Sequence, residues 1–114
     1  MKTERYSLIC KQKNAFRVSE LQDTLRVLQR DGISEASVIL KAIRENVVET
    51  PEHYKGEKYD LFCLVTCSSN EADVIVGALV DAEANSISET GEATPETGTL
   101  VYLVDKWFRY KESL

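Results

Sequence analysis

The sequence is poor in the residues that metal sites and disulfide frameworks require. It has one histidine and three cysteines among 114 residues. His53 has no second histidine with which to form a zinc-ligand spacing, and it lies in an acidic segment containing a proline, so we interpret it as a solvated side chain. Three cysteines do not make an even disulfide set, which favours a reducing compartment. We therefore expect neither a metal site nor a disulfide framework.

Clustered positive charge and long apolar runs are also scarce. The net charge is −5 and no run of Lys and Arg exceeds two residues, whereas nucleic-acid-binding surfaces are basic and clustered. The apolar stretch at 7–10 is too short for a signal peptide, and a membrane helix needs about 20 apolar residues. The sequence therefore predicts a cytoplasmic protein that is not embedded in a membrane and does not bind nucleic acid.

No arrangement of residues in the sequence indicates catalysis. The carboxylates gather in two polar segments, and acid–base catalysis needs a carboxyl group whose pKa is moved by burial or by a close partner. Cys63 and Cys67 are four residues apart, and Cys10 precedes them on a separate segment. We interpret all three as small buried apolar side chains, with a thiol switch as the alternative. We therefore predict no catalytic residue and no required cofactor, and a small enzyme is the third of our three hypotheses.

The length and composition indicate one globular domain over residues 1–114. The chain is 43% hydrophobic and 29% charged, which is ordinary for such a domain. Clusters of polar residues with glycine and proline predict a mobile loop at about 44–58 and a second loop at about 86–98.

Two helices are predicted from capping residues and apolar spacing. The first is capped by Ser19 with Gln22 three residues later, and it ends near Gly32. The second opens at a capping box running from Ser68 to Glu71. Apolar residues recur at helical spacing in both: Leu21, Leu25 and Leu28 in the first, and Ile75, Ala78, Leu79 and Ala82 in the second.

Four strands are predicted, at 4–11, 37–43, 59–67 and 99–105. The segment 37–43 is open to a second interpretation as a helix capped by Ser34, with Ile39 and Ile43 on one face. We favour the strand, because it supplies a partner for the other strands. The resulting order, βαββαβ, predicts an α+β fold: a ferredoxin-like sandwich in which two helices cover one face of an antiparallel sheet.

The second polar loop suggests an anion site. Glycines and threonines at 90–99 let the backbone approach a phosphate and donate N–H groups to it. Arg109 and Lys111 are two apart on a predicted extended tail, where alternate side chains point the same way and can hold one anion together. The candidate ligand-binding residues are therefore Thr90, Gly91, Gly98, Thr99, Arg109 and Lys111.

Several segments together resemble the P-II family of trimeric signalling proteins. They are Lys13-Asn14-Ala15-Phe16-Arg17 with Leu21 and Leu25, Gly32-Ile33-Ser34, Tyr54-Lys55-Gly56-Glu57-Lys58-Tyr59, and Thr90-Gly91 with Gly98-Thr99-Leu100-Val101-Tyr102. These resemble, in turn, the lysine-rich turn into the first helix, the step into the second strand, the long T-loop and the glycine-rich B-loop of that family. The 54–59 loop is shorter here than in the family, and the B-loop lacks its lysine, so the resemblance is to a divergent member.

The resemblance implies a regulatory function. It implies a homotrimer that binds an adenine nucleotide (ATP, ADP or AMP) or a similar anionic effector between subunits, with Arg109 and Lys111 at its phosphates. It also implies that Tyr54, Lys55, Gly56 and Tyr59 in the mobile loop dock onto a protein target such as a transporter or an enzyme. The alternative is a ferredoxin-like protein–protein interaction module with no small-molecule ligand, in which Trp107, Phe108 and Tyr110 form an aromatic contact patch.

Overall fold

Helices make up most of the fold. The computed structural model describes residues 3–51 and 61–114, and 64% of that part is helical. None of its helices has the length and apolar character needed to span a membrane. In chain order its elements are α1 Thr3–Cys10, β1 Ala15–Arg17, α2 Val18–Arg30, α3 Ala36–Glu45, β2 Phe62–Leu64, α4 Ser69–Asn85 and α5 Pro95–Glu112.

The predicted ferredoxin-like βαββαβ sandwich is wrong. Of its four strands, only the one at 59–67 is present in the described residues, shortened to β2, and it pairs antiparallel with the unpredicted β1. In that pairing Phe16 lies opposite Cys63, and Val47 forms an isolated bridge to Cys63 from the other side. Because this sheet has two short strands, it is too small to carry two helices on one face, and the helices pack mainly on one another.

The strand predicted at 99–105 is part of helix α5. The helix starts after Thr94, whose backbone N–H donates to the Thr97 hydroxyl at 3.0 Å, and Pro95 occupies a first-turn position that suits its fixed φ and missing N–H. The loop predicted at 86–98 therefore ends at Thr94. The buried side chains of α5 recur every three or four residues, as one helical face requires: Leu100, Leu103, Trp107 and Tyr110.

The strands predicted at 37–43 and 4–11 are also helices. In α3, Ile39 and Ala42 are buried on one face, so helical spacing prevails over the β-branched content of the segment. The helical alternative for this segment was right, although α3 begins at Ala36. In α1 only Tyr6 is buried, and its ring meets the Phe62 ring edge-on at a centroid distance of 6.4 Å.

The two predicted helices are confirmed as α2 and α4. At α4 the capping box is present: the Ser68 hydroxyl accepts from the Glu71 N–H at 3.1 Å, and the Glu71 carboxylate accepts from the Ser68 N–H at 2.8 Å. The start of α2 lies earlier than predicted, with Arg17 in place of Ser19 as its first flanking residue. Gly32 follows α2 with φ 67°, the left-handed conformation expected after a helix.

An aromatic cluster at the centre of the core sets the position of β1 against α5. The ring centroids of Phe16 and Trp107 are 4.4 Å apart, and both side chains are fully buried. Trp107 Nε1 donates to the Thr24 hydroxyl at 3.1 Å, which links α5 to α2. Because Phe16 is anchored in this cluster, the turn that precedes β1, at residues 11–14, lies beside the second half of α5.

Candidate ligand-binding site

The six predicted ligand-binding residues are not brought together. They lie at opposite ends of α5 and in the loop before it: Thr90 and Gly91 in the loop, Gly98 and Thr99 in the first turns, and Arg109 and Lys111 near the end of the helix. Eleven residues separate Gly98 from Arg109, which is about 16 Å along a helix axis. In the loop, the Thr90 hydroxyl lies 2.9 Å from the Ser88 hydroxyl and the Gly91 N–H donates to the Ser88 carbonyl at 2.8 Å, so these groups hold the loop itself.

Arg109 and Lys111 do not form one anion clamp. They lie on a helix rather than on an extended tail, so two residues of separation turn their side chains to different sides. Arg109 lies 3.1 Å from the Asp105 carboxylate, and Lys111 Nζ lies 2.6 Å from the carboxylate of Asp73 on α4.

The predicted partner-binding loop falls outside the part of the chain that the structure describes. Tyr54, Lys55, Gly56 and Tyr59, together with His53, lie outside the described residues. The target-binding role of this loop, the homotrimer and the cytoplasmic location stay predictions.

A different group of cationic residues shares one cavity. The cavity has a volume of about 280 Å³ and lies between the 11–13 turn and the second half of α5. We call it the basic cleft. Its lining has four cationic side chains and one carboxylate: Cys10, Lys11, Gln12, Lys13, Tyr102, Asp105, Lys106 and Arg109.

The turn that forms one wall of the basic cleft is held by its backbone. The Lys11 N–H donates to the Leu8 carbonyl at 3.3 Å, and the Asn14 carbonyl accepts from the Val65 N–H at 2.9 Å. Lys11 and Lys13 are exposed, and neither forms an ion pair within residues 3–51 and 61–114. Two ammonium groups are therefore available to a ligand on a turn that is held by backbone hydrogen bonds.

The opposite wall of the basic cleft is supplied by α5. Lys106 Nζ lies 3.4 Å from Glu20 Oε1 and 5.0 Å from the centroid of the Phe16 ring, so its charge is held in place at the edge of the core. Arg109 and its partner Asp105 are both well exposed, and an exposed pair of this kind contributes about 0–1 kcal/mol. The guanidinium can therefore exchange Asp105 for another carboxylate at small cost.

Tyr102 is a neutral member of the basic cleft. Its hydrogen bond to Glu20 is the main cause that raises its pKa to about 12, and desolvation and the charge of Glu20 act in the same direction. The phenol therefore stays protonated near neutral pH and adds no negative charge to the cleft.

The tyrosine titration gives a direct test of this geometry. In Glu20→Gln, the Tyr102 pKa is expected to fall from about 12 toward the ordinary tyrosine value of 10.0, because the carboxylate acceptor is gone. In the wild type, the folded state holds the Tyr102 proton more tightly than the unfolded state does. The contribution of the protonated Tyr102 to stability is therefore complete below pH 10.0 and is lost as the pH rises toward about 12. NMR titration of ¹³C-labelled tyrosine rings measures both.

Tyr110 is the internal control for that titration. Its pKa is also raised to about 12, but chiefly by burial and then by its hydrogen bond with Cys67. It should therefore not respond to Glu20→Gln. An unchanged Tyr102 pKa in this variant would contradict the hydrogen bond to Glu20.

A second cavity adjoins the basic cleft. It has a volume of about 510 Å³, and we call it the Cys67 groove. Cys67 Sγ lies 3.8 Å from the Tyr110 hydroxyl, and burial raises the Cys67 pKa more than this hydrogen bond lowers it. A thiol that is held protonated is a weaker nucleophile than a thiolate. The groove is lined by Gln12, Lys13, Asn14, Val65, Thr66, Cys67, Tyr110, Ser113 and Leu114.

Comparisons with protein-family models, with curated proteins and with solved structures found no match. The function of the basic cleft therefore has to be inferred from its own residues.

Sequence reasoning missed the basic cleft because it predicted the wrong secondary structure for two segments that line it, the strand at 4–11 and the extended tail that carries Arg109. Lys106 and Arg109 are three residues apart, which places them side by side on a helix but on opposite faces of a strand. A helical interpretation of 95–112 would have predicted their pairing. The approach of Lys11 and Lys13 to this helix has no local signal, because it depends on how Phe16 packs against Trp107.

Proposed function

We propose that this protein is a non-catalytic binding protein that captures an acidic segment of a partner protein in the basic cleft. The observation that carries the proposal is that Lys11 and Lys13, which form no ion pair with any described residue, face Lys106 and Arg109 across one cavity. The chain as a whole has a net charge of −5, so a local concentration of cations is unusual for it. Such a patch attracts carboxylates and orients their approach.

The openness of the cleft favours a chain segment over a small molecule. Lys11, Lys13 and Arg109 are exposed, as is Tyr102 at 54%. Small-ligand sites bury most of the ligand and have volumes of about 300–1,000 Å³, so a cleft of about 280 Å³ with exposed walls is slightly smaller than that range. A peptide that lies along α5 can bind without being enclosed, because several of its carboxylates contact the cations of the cleft one after another.

An adenine nucleotide is the second candidate. The observation that favours it is that the same four cations suit phosphate groups, since arginine and lysine both bind phosphate oxygens. Of the residues first predicted for a nucleotide, the cleft includes only Arg109. The exposed walls of the cleft favour carboxylates on a partner, and competition by ATP separates the two candidates.

A charge-matched pair of double variants tests the proposal. Lys11→Gln/Lys13→Gln is expected to weaken binding of a fluorescein-labelled glutamate-rich peptide about tenfold, since two exposed pairs together contribute about 1.4 kcal/mol. Lys41→Gln/Arg44→Gln removes the same charge from exposed positions on α3 that do not line the cleft, and should change the affinity by less than about twofold. Fluorescence anisotropy at low and physiological salt gives the dissociation constants, with a glutamine-for-glutamate peptide as the non-binding reference.

Two outcomes would contradict the proposal. Equal losses in both double variants would mean that the peptide senses the net charge of the protein rather than the cleft. Failure of every acidic peptide to bind, with ATP binding to the wild type and not to Lys11→Gln/Lys13→Gln, would assign the cleft to a nucleotide instead.

A further inference from the structure

The basic cleft and the Cys67 groove follow one another along the same side of α5. Their linings share Gln12 and Lys13. Beyond these, Lys106 and Arg109 belong to the cleft, whereas Tyr110 and Ser113, each one helical turn further on, belong to the groove. A segment that enters the cleft therefore continues past Lys13 into the groove.

Several polar groups in the wall of the Cys67 groove are hydrogen-bonded to one another. The Val65 carbonyl accepts from the Tyr110 hydroxyl and from Asn14 Nδ2, both at 3.2 Å, and the Cys67 N–H donates to the Tyr110 hydroxyl at 3.3 Å. These polar groups satisfy one another within the wall. The rest of the lining combines the Tyr110 ring, the Cys67 thiol and the Leu114 side chain with the polar side chains of Gln12, Lys13, Thr66 and Ser113. Most of the surface that faces the cavity is nevertheless apolar. An apolar side chain fits this lining best.

The distance between the two cavities sets the spacing of the ligand residues. Lys106 and Tyr110 are four residues apart on α5, which corresponds to about 6 Å along the helix axis. In an extended peptide, residues i and i+2 point to the same face and lie about 6.6 Å apart. A carboxylate in the cleft therefore places the side chain two residues away over the groove.

We infer that the Cys67 groove binds an apolar side chain two residues from the carboxylate held in the basic cleft. The partner segment then has an acidic residue and a large apolar residue at an i, i+2 spacing. This inference rests on the proposed function, because it names the kind of segment that the cleft and groove recognise together.

Peptides of matched composition test the inference. A glutamate-rich peptide with leucine two positions from a glutamate is made in both orders, before and after it. One of the two orders is expected to bind about tenfold more tightly than the alanine peptide, because a leucine side chain leaves water. Peptides with the leucine moved to the adjacent position should lose this gain, since that side chain points away from the groove.

A variant in the groove completes the test. Leu114→Gln should remove most of the gain from the leucine and leave the affinity for the alanine peptide unchanged; Leu114 is 53% exposed, so the substitution does not disturb the core. The matched control is Leu8→Gln, at an exposed leucine (68%) on α1 that lines neither cavity, and it should have no effect.

The results separate this inference from the proposed function. Equal affinities for the leucine and alanine peptides, with binding still dependent on Lys11 and Lys13, would overturn the inference and leave the proposed function in place. No binding of any acidic peptide would overturn both. A leucine gain that survives Leu114→Gln would place the apolar contact elsewhere and overturn the inference.

Discussion

Trp107→Ala is expected to lower the free energy of unfolding by about 3–5 kcal/mol, the largest effect of any single substitution proposed for this chain. Trp107 is fully buried and stacks on Phe16 at a centroid distance of 4.4 Å. Its Nε1 donates to the Thr24 hydroxyl at 3.1 Å, and that hydroxyl donates in turn to the Glu20 carbonyl at 2.8 Å. The alanine variant loses this packing and leaves a cavity at the junction of β1, α2 and α5.

Urea unfolding followed by far-UV circular dichroism measures this loss. Fluorescence is unsuitable, because Trp107 is the only tryptophan in the sequence. Phe108→Ala is the matched control: the neighbouring aromatic is 46% exposed, so its loss should change the free energy of unfolding by about 0.5 kcal/mol or less. Similar effects of the two substitutions would contradict the burial of Trp107 in the aromatic cluster.

Leu103→Ala is expected to lower the free energy of unfolding by about 2–5 kcal/mol, whereas Val101→Ala should be almost neutral. Leu103 is 1% exposed and Val101 is 49% exposed. The physical reason is the helical turn of α5, which separates the two side chains by about 200°. The same urea titrations, made on both variants, give the two free energies.

This pair also tests the correction of the fold. Residues 101 and 103 share one face of a strand, so the strand predicted at 99–105 would give the two substitutions similar effects. In α5 Val101 faces solvent and Leu103 faces the core. Equal losses would contradict the helical assignment on which the basic cleft depends, since Lys106 and Arg109 line it together only on a helix.

The last helix therefore has two functions in the architecture. One face of α5 supplies the core with Leu103 and Trp107, and another supplies the basic cleft with Lys106 and Arg109. Because Lys106 lies beside Trp107 and above the Phe16 ring, the position of the cleft depends on the packing of the core. Stability should therefore be measured on the same variants as binding. The surface substitutions proposed for the cleft should leave the unfolding midpoint nearly unchanged, so that a loss of binding reports on the cleft itself.

Helices α2 and α4 were predictable because their signals are local. The capping box of Ser68 and Glu71 joins residues three apart, so the sequence alone specifies the hydrogen bonds that start α4. The left-handed position of Gly32 after α2 is similarly a property of one residue. The apolar spacing in these two segments also matches only the helical period.

The remaining elements carry conflicting local signals. In 37–43, β-branched residues favour a strand while Ile39 and Ala42 fit a helical face, and in 99–105 a short alternation of apolar and polar residues lies within a longer helical pattern. The seven residues at 37–43 are too few to distinguish the helical period of 3.6 from the strand period of 2. For α5, the cap at Thr94 and Pro95 was the signal that a wider window would have used.

The sequence by itself determined the acidic composition, the small number of metal-ligating residues and the two capped helices, because each depends on residue type or on contacts within one turn. Only the tertiary structure decided that Lys11 and Lys13 face Lys106 and Arg109, more than 90 residues later in the chain. That juxtaposition follows from the packing of Phe16 against Trp107. Burial of two aromatic rings favours many pairings equally well, so the choice among them is made by how the whole core fills its volume and not by any local pattern.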